Sequence, residues 1–406
     1  MDRYLSVVFL GAMLFASSAI GTPGKGAVCK VPEVDGDGPA QVRSNADLDA
    51  WLARCPETLA PLTPGARERF LGQLRFNDRG VVDYPVQELT EALTTDEIAQ
   101  VSRLLGLDMT IPGLTHEEAE RLRAEDLPDG ITAIERRFNH FHAESRALER
   151  NLDGEERGAA LVTLYQSTFP AKASAEAVGA HDLGLLYRAA STAAFYSEDP
   201  HMTEVALDAH ARLSGLGFST RSRAAEAMKL LLAVGRVNDA RQLAQATPEH
   251  RLPELPATHD ETGGRHETSV WDPATPEALV RRHISLSPVR IVVRASLGCP
   301  YSMAAAEAIA SDPELGPLFR EHAIWMAPPS ELIGHQRLRA WNAAHPHTPM
   351  VVATNWSNWP MLHRWEGTPT FHVFRDGKLI DSVTSWPLEE GNRAAVAAAL
   401  HKAGLR

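Results

Sequence analysis

The chain has 406 residues, 44% hydrophobic and 23% charged, an ordinary globular balance and too long for one compact core. Its net charge of −12 excludes the basic face of a typical nucleic-acid binder. From Ile284 onward there are 11 Lys/Arg against 10 Asp/Glu, which leaves 29 against 42 before it, so the acidity belongs to the N-terminal part, where a solvated surface explains it.

Residues 1–21 have the layout of a secretory signal peptide. Arg3 forms a short basic start, residues 4–15 (YLSVVFLGAMLF) are almost all apolar, and small residues around Ala19 and Gly21 offer cleavage sites. The rival, an uncleaved anchor, needs ~20 apolar residues, and the run falls short. The expectation is an exported protein, periplasmic in a Gram-negative source, with no stable membrane insertion.

The cysteines are Cys29, Cys55 and Cys299. In an oxidising compartment two of three are expected to pair. Cys29 and Cys55 lie 26 positions apart outside any reactive-looking motif, so a structural disulfide between them is expected, with Cys299 left free.

Residues 22–246 read as all-α. Ser44 and Asn45 can cap a helix holding Leu48, Trp51 and Leu52, and Thr63-Pro64 opens another with Phe70, Leu71 and Leu74 on one face. Thr94 to Glu97 has a capping pattern before Ile98, Val101, Leu104 and Leu105, and Gly106 ends that helix. Ile131, Ile134, Phe138, Phe141 and Leu148 form a helical stripe over residues 130–151. Residues 156–246 suggest helix pairs, one within 183–213 and one from Ala224 to Ala244. The second, with its small-residue turn, resembles a tetratricopeptide unit. A docking array and a plain helical bundle both fit. His140 and His142 are two apart on a helix and point in different directions, and His345 and His347 have no nearby acidic or cysteine ligand, so no metal site is expected.

Residues 247–281 break the pattern with Pro248, Pro253, Pro256, Pro273, Pro276 and Gly263-Gly264, which predicts an exposed linker. Residues 282–406 then read as α/β. Val289 and Ile291-Val292-Val293 predict a buried central strand leading into Cys299-Pro300-Tyr301-Ser302, with a helix from Met303. Pro300 suits a first helical turn, so Cys299 sits at a helix N-terminus, where unpaired N–H groups and the helix dipole favour a thiolate. A thiol so placed can fall from a pKa of ~8.5 into the range ~3.5–7.5, whereas a lone cysteine is otherwise most often inert. Trp356 and Trp359, before Pro360, suit either core packing or an apolar groove for unfolded polypeptide.

At Cys299-Pro300-Tyr301-Ser302 the chain resembles the thioredoxin superfamily, with Ser302 replacing the second cysteine. Residues 361–379 resemble that family's second half: a helix end, a cis-proline loop at Thr368-Pro369, a strand, the Asp376-Gly377 turn and another strand. Residues 392–404 supply the closing helix. The 70 positions between Cys299 and Pro369 leave room for an inserted strand at 323–326 and helix at 330–344.

The resemblance implies that Cys299 is the nucleophile with Ser302 beside it in the catalytic motif, that Tyr301 and Ser302 shape its helix end, and that Pro300, Tyr301, Thr368 and Pro369 contact a substrate strand. Ser302 cannot close an internal disulfide, and Val293 stands where the family often carries a proton-shuttling acid. These departures imply a monothiol route through a mixed disulfide, released by an external thiol such as glutathione, with no bound cofactor. The partners implied are exported proteins with cysteines or disulfides, or small disulfides, with a docking protein for the helices. The alternative is a catalytically silent thioredoxin fold kept as a binding module.

Overall fold

A computed structural model describes Cys29 and residues 42–125, 130–170, 179–273, 278–362, 367–387 and 391–405. The signal peptide expected at residues 1–21 lies outside them, as do Pro276, Trp365 and most of the 361–367 helix end.

The N-terminal helices begin where their caps predict. Ser44 accepts from the Asp47 N–H at the start of α1 (Asn45–Arg54), and Thr63 accepts from the Ala66 N–H at the start of α2 (Pro64–Gln73). A two-stranded ribbon follows, β1 (Arg75–Asn77) and β2 (Gly80–Asp83), then α3 (Val86–Thr90), α4 (Thr95–Leu104) and α5 (His116–Arg123). Reciprocal capping boxes, Thr94 with Glu97 and Thr115 with Glu118, satisfy otherwise unpaired N–H groups of α4 and α5. In α6 (Ala133–Asn151) the stripe buries Ile134, Phe138 and Phe141.

Beyond α7 (Gly154–Thr168), α8 (Ala180–Ser197) packs against α9 (Pro200–Gly215), and α10 (Arg221–Ala233) against α11 (Val237–Ala246). Two helix pairs therefore lie where the sequence placed them. The ribbon corrects the all-α expectation for residues 22–246. Gly80 has φ +118°, open to glycine but poorly to other residues, and the Asn77 side chain accepts from the Arg79 N–H at 2.8 Å. Phe76 and Val81 pair across the ribbon and pack on the first helices.

The exposed-linker expectation for residues 247–281 is also corrected. This stretch supplies β3 (Ala257–Asp260), β4 (Ser269–Asp272) and the start of β5 (Ala278–His283). Its prolines and glycines punctuate short strands, and Val270 and Trp271 are buried. The rest of the sheet is β6 (Val289–Arg294), β7 (Ala323–Ala327), β8 (Met350–Ala353), β9 (Thr370–Arg375) and β10 (Lys378–Thr384). The eight strands run in the order β10-β9-β6-β7-β8-β4-β5-β3, with β6, β7 and β8 mutually parallel and β9 antiparallel to β6. Helices α12 (Pro300–Ser311), α13 (Leu315–His322), α14 (His335–Ala344) and α15 (Arg393–Lys402) complete this part. The inserted helix starts at His335 rather than 330, after a 3-10 turn over Pro329–Gly334.

Strand alternation divides the core. Ile291 and Val293 join a cluster with Ile309, Trp325, Phe371 and Leu400, while Val292 joins Met326, Phe374, Trp356 and Trp359. The first cluster continues into Met228, Leu231 and Leu232 of α10 and Val237 of α11. Apolar packing therefore crosses position 247 without a break. Trp356 and Trp359 are buried, and the Trp359 indole N–H donates to the Ser269 carbonyl at 3.1 Å, so they are core and line no groove. No helix among the described residues is long and apolar enough to cross a membrane.

Candidate active site

The register of β6 and β9 creates the site. Arg294, the last residue of β6, pairs with Thr370, the first of β9. The loop after β6 and the loop before β9 therefore meet at one end of the sheet. The first loop carries Cys299 and the second Thr368 and Pro369, whose peptide bond is cis. The Cys299 Sγ–H donates to the Thr368 carbonyl at 3.1 Å.

Cys299 is the N-cap residue of α12, and Pro300 occupies its first turn. The Ser302 and Met303 N–H groups donate to the Cys299 carbonyl, and the Cys299 N–H to the Ser296 carbonyl, in a tight turn. The thiol is partly exposed and unpaired. Burial pushes its pKa up. Hydrogen bonds from the Thr368 side chain, from the Ser302 N–H and hydroxyl and from the Tyr301 N–H outweigh that and bring it below its ordinary value. The Thr368 carbonyl acts the other way, since only a protonated sulfur can donate to it. The net direction follows the donors of the helix end, which also remain available to a thiolate.

Pro300 and Tyr301 are exposed, Thr368 is half-buried and Pro369 buried. Ser302 is fully buried, and its hydroxyl accepts from the Ser296 N–H at 3.3 Å, tying the loop to the helix. Val293 is fully buried between Phe371 of β9 and Trp325 of β7, which leaves no carboxylate at that position.

Two residues join the site that sequence reasoning passed over. Glu331, in the 3-10 turn, accepts from the Leu297 N–H at 3.2 Å, and Arg337 of α14 donates to the Leu297 carbonyl at 3.4 Å. The insertion thus holds both backbone groups of the residue two before the nucleophile. The same 3-10 turn packs against α10, so the helical region abuts the support of the cysteine loop. Charged residues in an expected helix gave no sequence signal for these contacts.

The remaining candidates lie elsewhere. Cys29 and Cys55 form a disulfide with Cα atoms 5.7 Å apart, far along the chain from Cys299. His142 is held by Gln73 at 2.9 Å, and burial with nearby arginines lowers its pKa to about 4. His140 and His347 are exposed, and His345 stacks on Trp341. Cys29, Cys55 and Glu57 come together, but the two sulfurs are bonded to each other.

No family model matches the chain, and no curated protein matches it. Among solved structures it is similar to a thioredoxin-like protein from Bacteroides caccae at 10% identity, over 62% of this chain and 95% of that one, with a TM-score of 0.23. A likeness that slight adds no weight to the strand order and loop geometry described above.

Proposed function

We propose that this protein is an exported thiol–disulfide oxidoreductase of monothiol type, acting on disulfides of exported proteins or of small molecules. The observation that carries this reading is the placement of one partly exposed, unpaired cysteine at the N-terminus of α12, against the cis Thr368-Pro369 loop, with its pKa lowered.

The Cys299 thiolate attacks a substrate disulfide. One S–S bond forms to the substrate, the original S–S bond breaks, and the leaving thiolate takes up a proton. A low-molecular-weight thiol such as glutathione then attacks the mixed disulfide as its thiolate and restores Cys299. A second such thiol completes net reduction of the substrate, whereas return of the substrate's own thiolate gives isomerisation with no net electron transfer. Ser302 cannot take that second role, and its buried hydroxyl supports positioning of the loop instead. Tyr301, 45% exposed beside the cysteine, and Thr368 with Pro369 are the residues assigned to substrate contact.

The test is acid-quenched recovery of the protein from its compartment, with non-reducing gels and mass spectrometry of whatever is bonded to Cys299. Wild type is expected to carry disulfide-linked partners that Cys299→Ala lacks, and the variant is expected to lose function. Intact function in Cys299→Ala, with no adduct in wild type, would establish the silent binding module instead.

A further inference from the structure

An ion cluster is buried among the helices. Arg69 donates from Nε to Glu88 at 2.9 Å and from Nη1 to Glu135 at 3.0 Å and Asn139 at 2.8 Å. Arg188 donates through Nη1 and Nη2 to the same Glu88 carboxylate, at 3.3 and 2.6 Å. Both guanidiniums lie over the Phe138 ring, 5.1 and 4.9 Å from its centre. Nearby, Glu91 accepts from Arg223 Nε at 3.0 Å and forms an ion pair with its Nη2 at 2.8 Å, and Glu125 accepts from the Ala180 and His181 N–H groups at 2.8 and 3.3 Å.

These residues wall a cavity of about 90 Å³. Four arginines (Arg69, Arg123, Arg188, Arg223) and His181 face three glutamates there, and each of those glutamates (Glu88, Glu91, Glu125) already accepts a hydrogen bond. One nitrogen is not answered. Arg188 Nε is buried with no hydrogen-bond partner, in a side chain only 5% exposed, and a guanidinium keeps its protons. His181 lies beside it on the same wall, with Nε2 3.5 Å from the Glu135 carboxylate. An unanswered buried donor of a charged group is costly, and native structures seldom leave one. What fills the cavity must therefore bring acceptors.

We propose that this cavity is a binding site for a small anion of carboxylate or oxyanion type, anchored on Arg188 Nε with His181 beside it. The space is several times the roughly 10–15 Å³ that one water requires, so it takes a group of a few heavy atoms. Gly184 leaves the room: a Cβ there would lie 2.9 Å from Arg223 Nη2, inside the cavity wall.

The experiment titrates the full mature chain with sodium acetate, and with sodium chloride at matched ionic strength, following Tm and binding heat. Acetate is expected to raise Tm saturably, with chloride giving little or no rise. Gly184→Ala favours the helix but places a Cβ 2.9 Å from Arg223 Nη2, and it is expected to weaken acetate binding at least tenfold with an unchanged far-UV spectrum. Should that variant fail to fold, His181→Phe removes the imidazole that walls the cavity beside Arg188, and acetate binding must weaken there too. Equal responses to the two salts, or acetate binding in a folded variant as tight as in wild type, would show that water alone occupies the cavity and overturn the proposal.

Discussion

The two parts of the molecule treat charge in opposite ways. Among the helices, Arg69, Glu88 and Arg188 are all nearly excluded from water, and each is answered by a partner of opposite sign. Around Cys299 the position that could carry an acid is Val293, and the sulfur meets backbone groups and hydroxyls. The helical cluster spends its charges on one another and gains a fixed geometry. The cysteine keeps its ionisation available because no fixed countercharge is bound to it. A compensated cluster should fail when one member is removed, whereas a dipole-held thiol should change reactivity by degrees.

The largest expected effect breaks the first half of this contrast. Glu88→Gln leaves Arg69 and Arg188 without their shared carboxylate and should cost about 3–5 kcal/mol, read by urea unfolding. The two guanidiniums, acting against burial, hold the Glu88 pKa down from 4.5 to about 2. Because the folded value is depressed, the stability from this group is complete above about pH 4.5 and is lost as pH falls toward about 2. Wild type should therefore lose stability over that window by more than Glu88→Gln does. Equal acid profiles would show that the cluster carries no such linkage.

Next in size is the disulfide. Its loop of 26 positions implies about 3.5 kcal/mol from restriction of the unfolded chain. The Cys29→Ser, Cys55→Ser double variant should be less stable by that order in urea unfolding. Its Cys299 alkylation rate should not change, since the bridge lies on the far helices. A large change in that rate would couple the first helices to the cysteine loop and contradict this expectation.

Smaller still is Glu331→Gln, which weakens the hold on the Leu297 N–H. A loss of about 1 kcal/mol at that contact corresponds to a several-fold slower reaction of Cys299 with a small disulfide, with global Tm nearly unchanged. An unchanged rate would remove Glu331 from the site, and an equal fall in Tm would make it merely structural.

What could be read from the sequence follows the range of each interaction. The caps at Ser44, Thr63 and Thr94 and the stripe on α6 are local, and they were legible. So was Cys299 before Pro300, because strand, cysteine, proline and helix are contiguous. The strands β3 to β5 were hidden because turn residues outnumber apolar ones between positions 247 and 281, so the composition of the connections masked the strands. The ribbon at Gly80 was hidden by its length, only three and four residues per strand. Arg188 meets Glu88 across 100 positions, and Glu331 meets Leu297 across 34, and neither pairing leaves a periodic trace. The same holds for α10 packing into the core beneath the sheet, which the proline-rich stretch after α11 argued against.

The most direct test of the account is the pH dependence of Cys299 alkylation by iodoacetamide, measured on the folded protein and again in urea. A poised thiol at the end of α12 predicts a folded-state midpoint below that of the unfolded chain, and faster reaction at pH 7 when folded. A midpoint at or above the unfolded value, with slower reaction in the folded protein, would contradict it and leave Cys299 an inert cysteine against the Thr368 carbonyl.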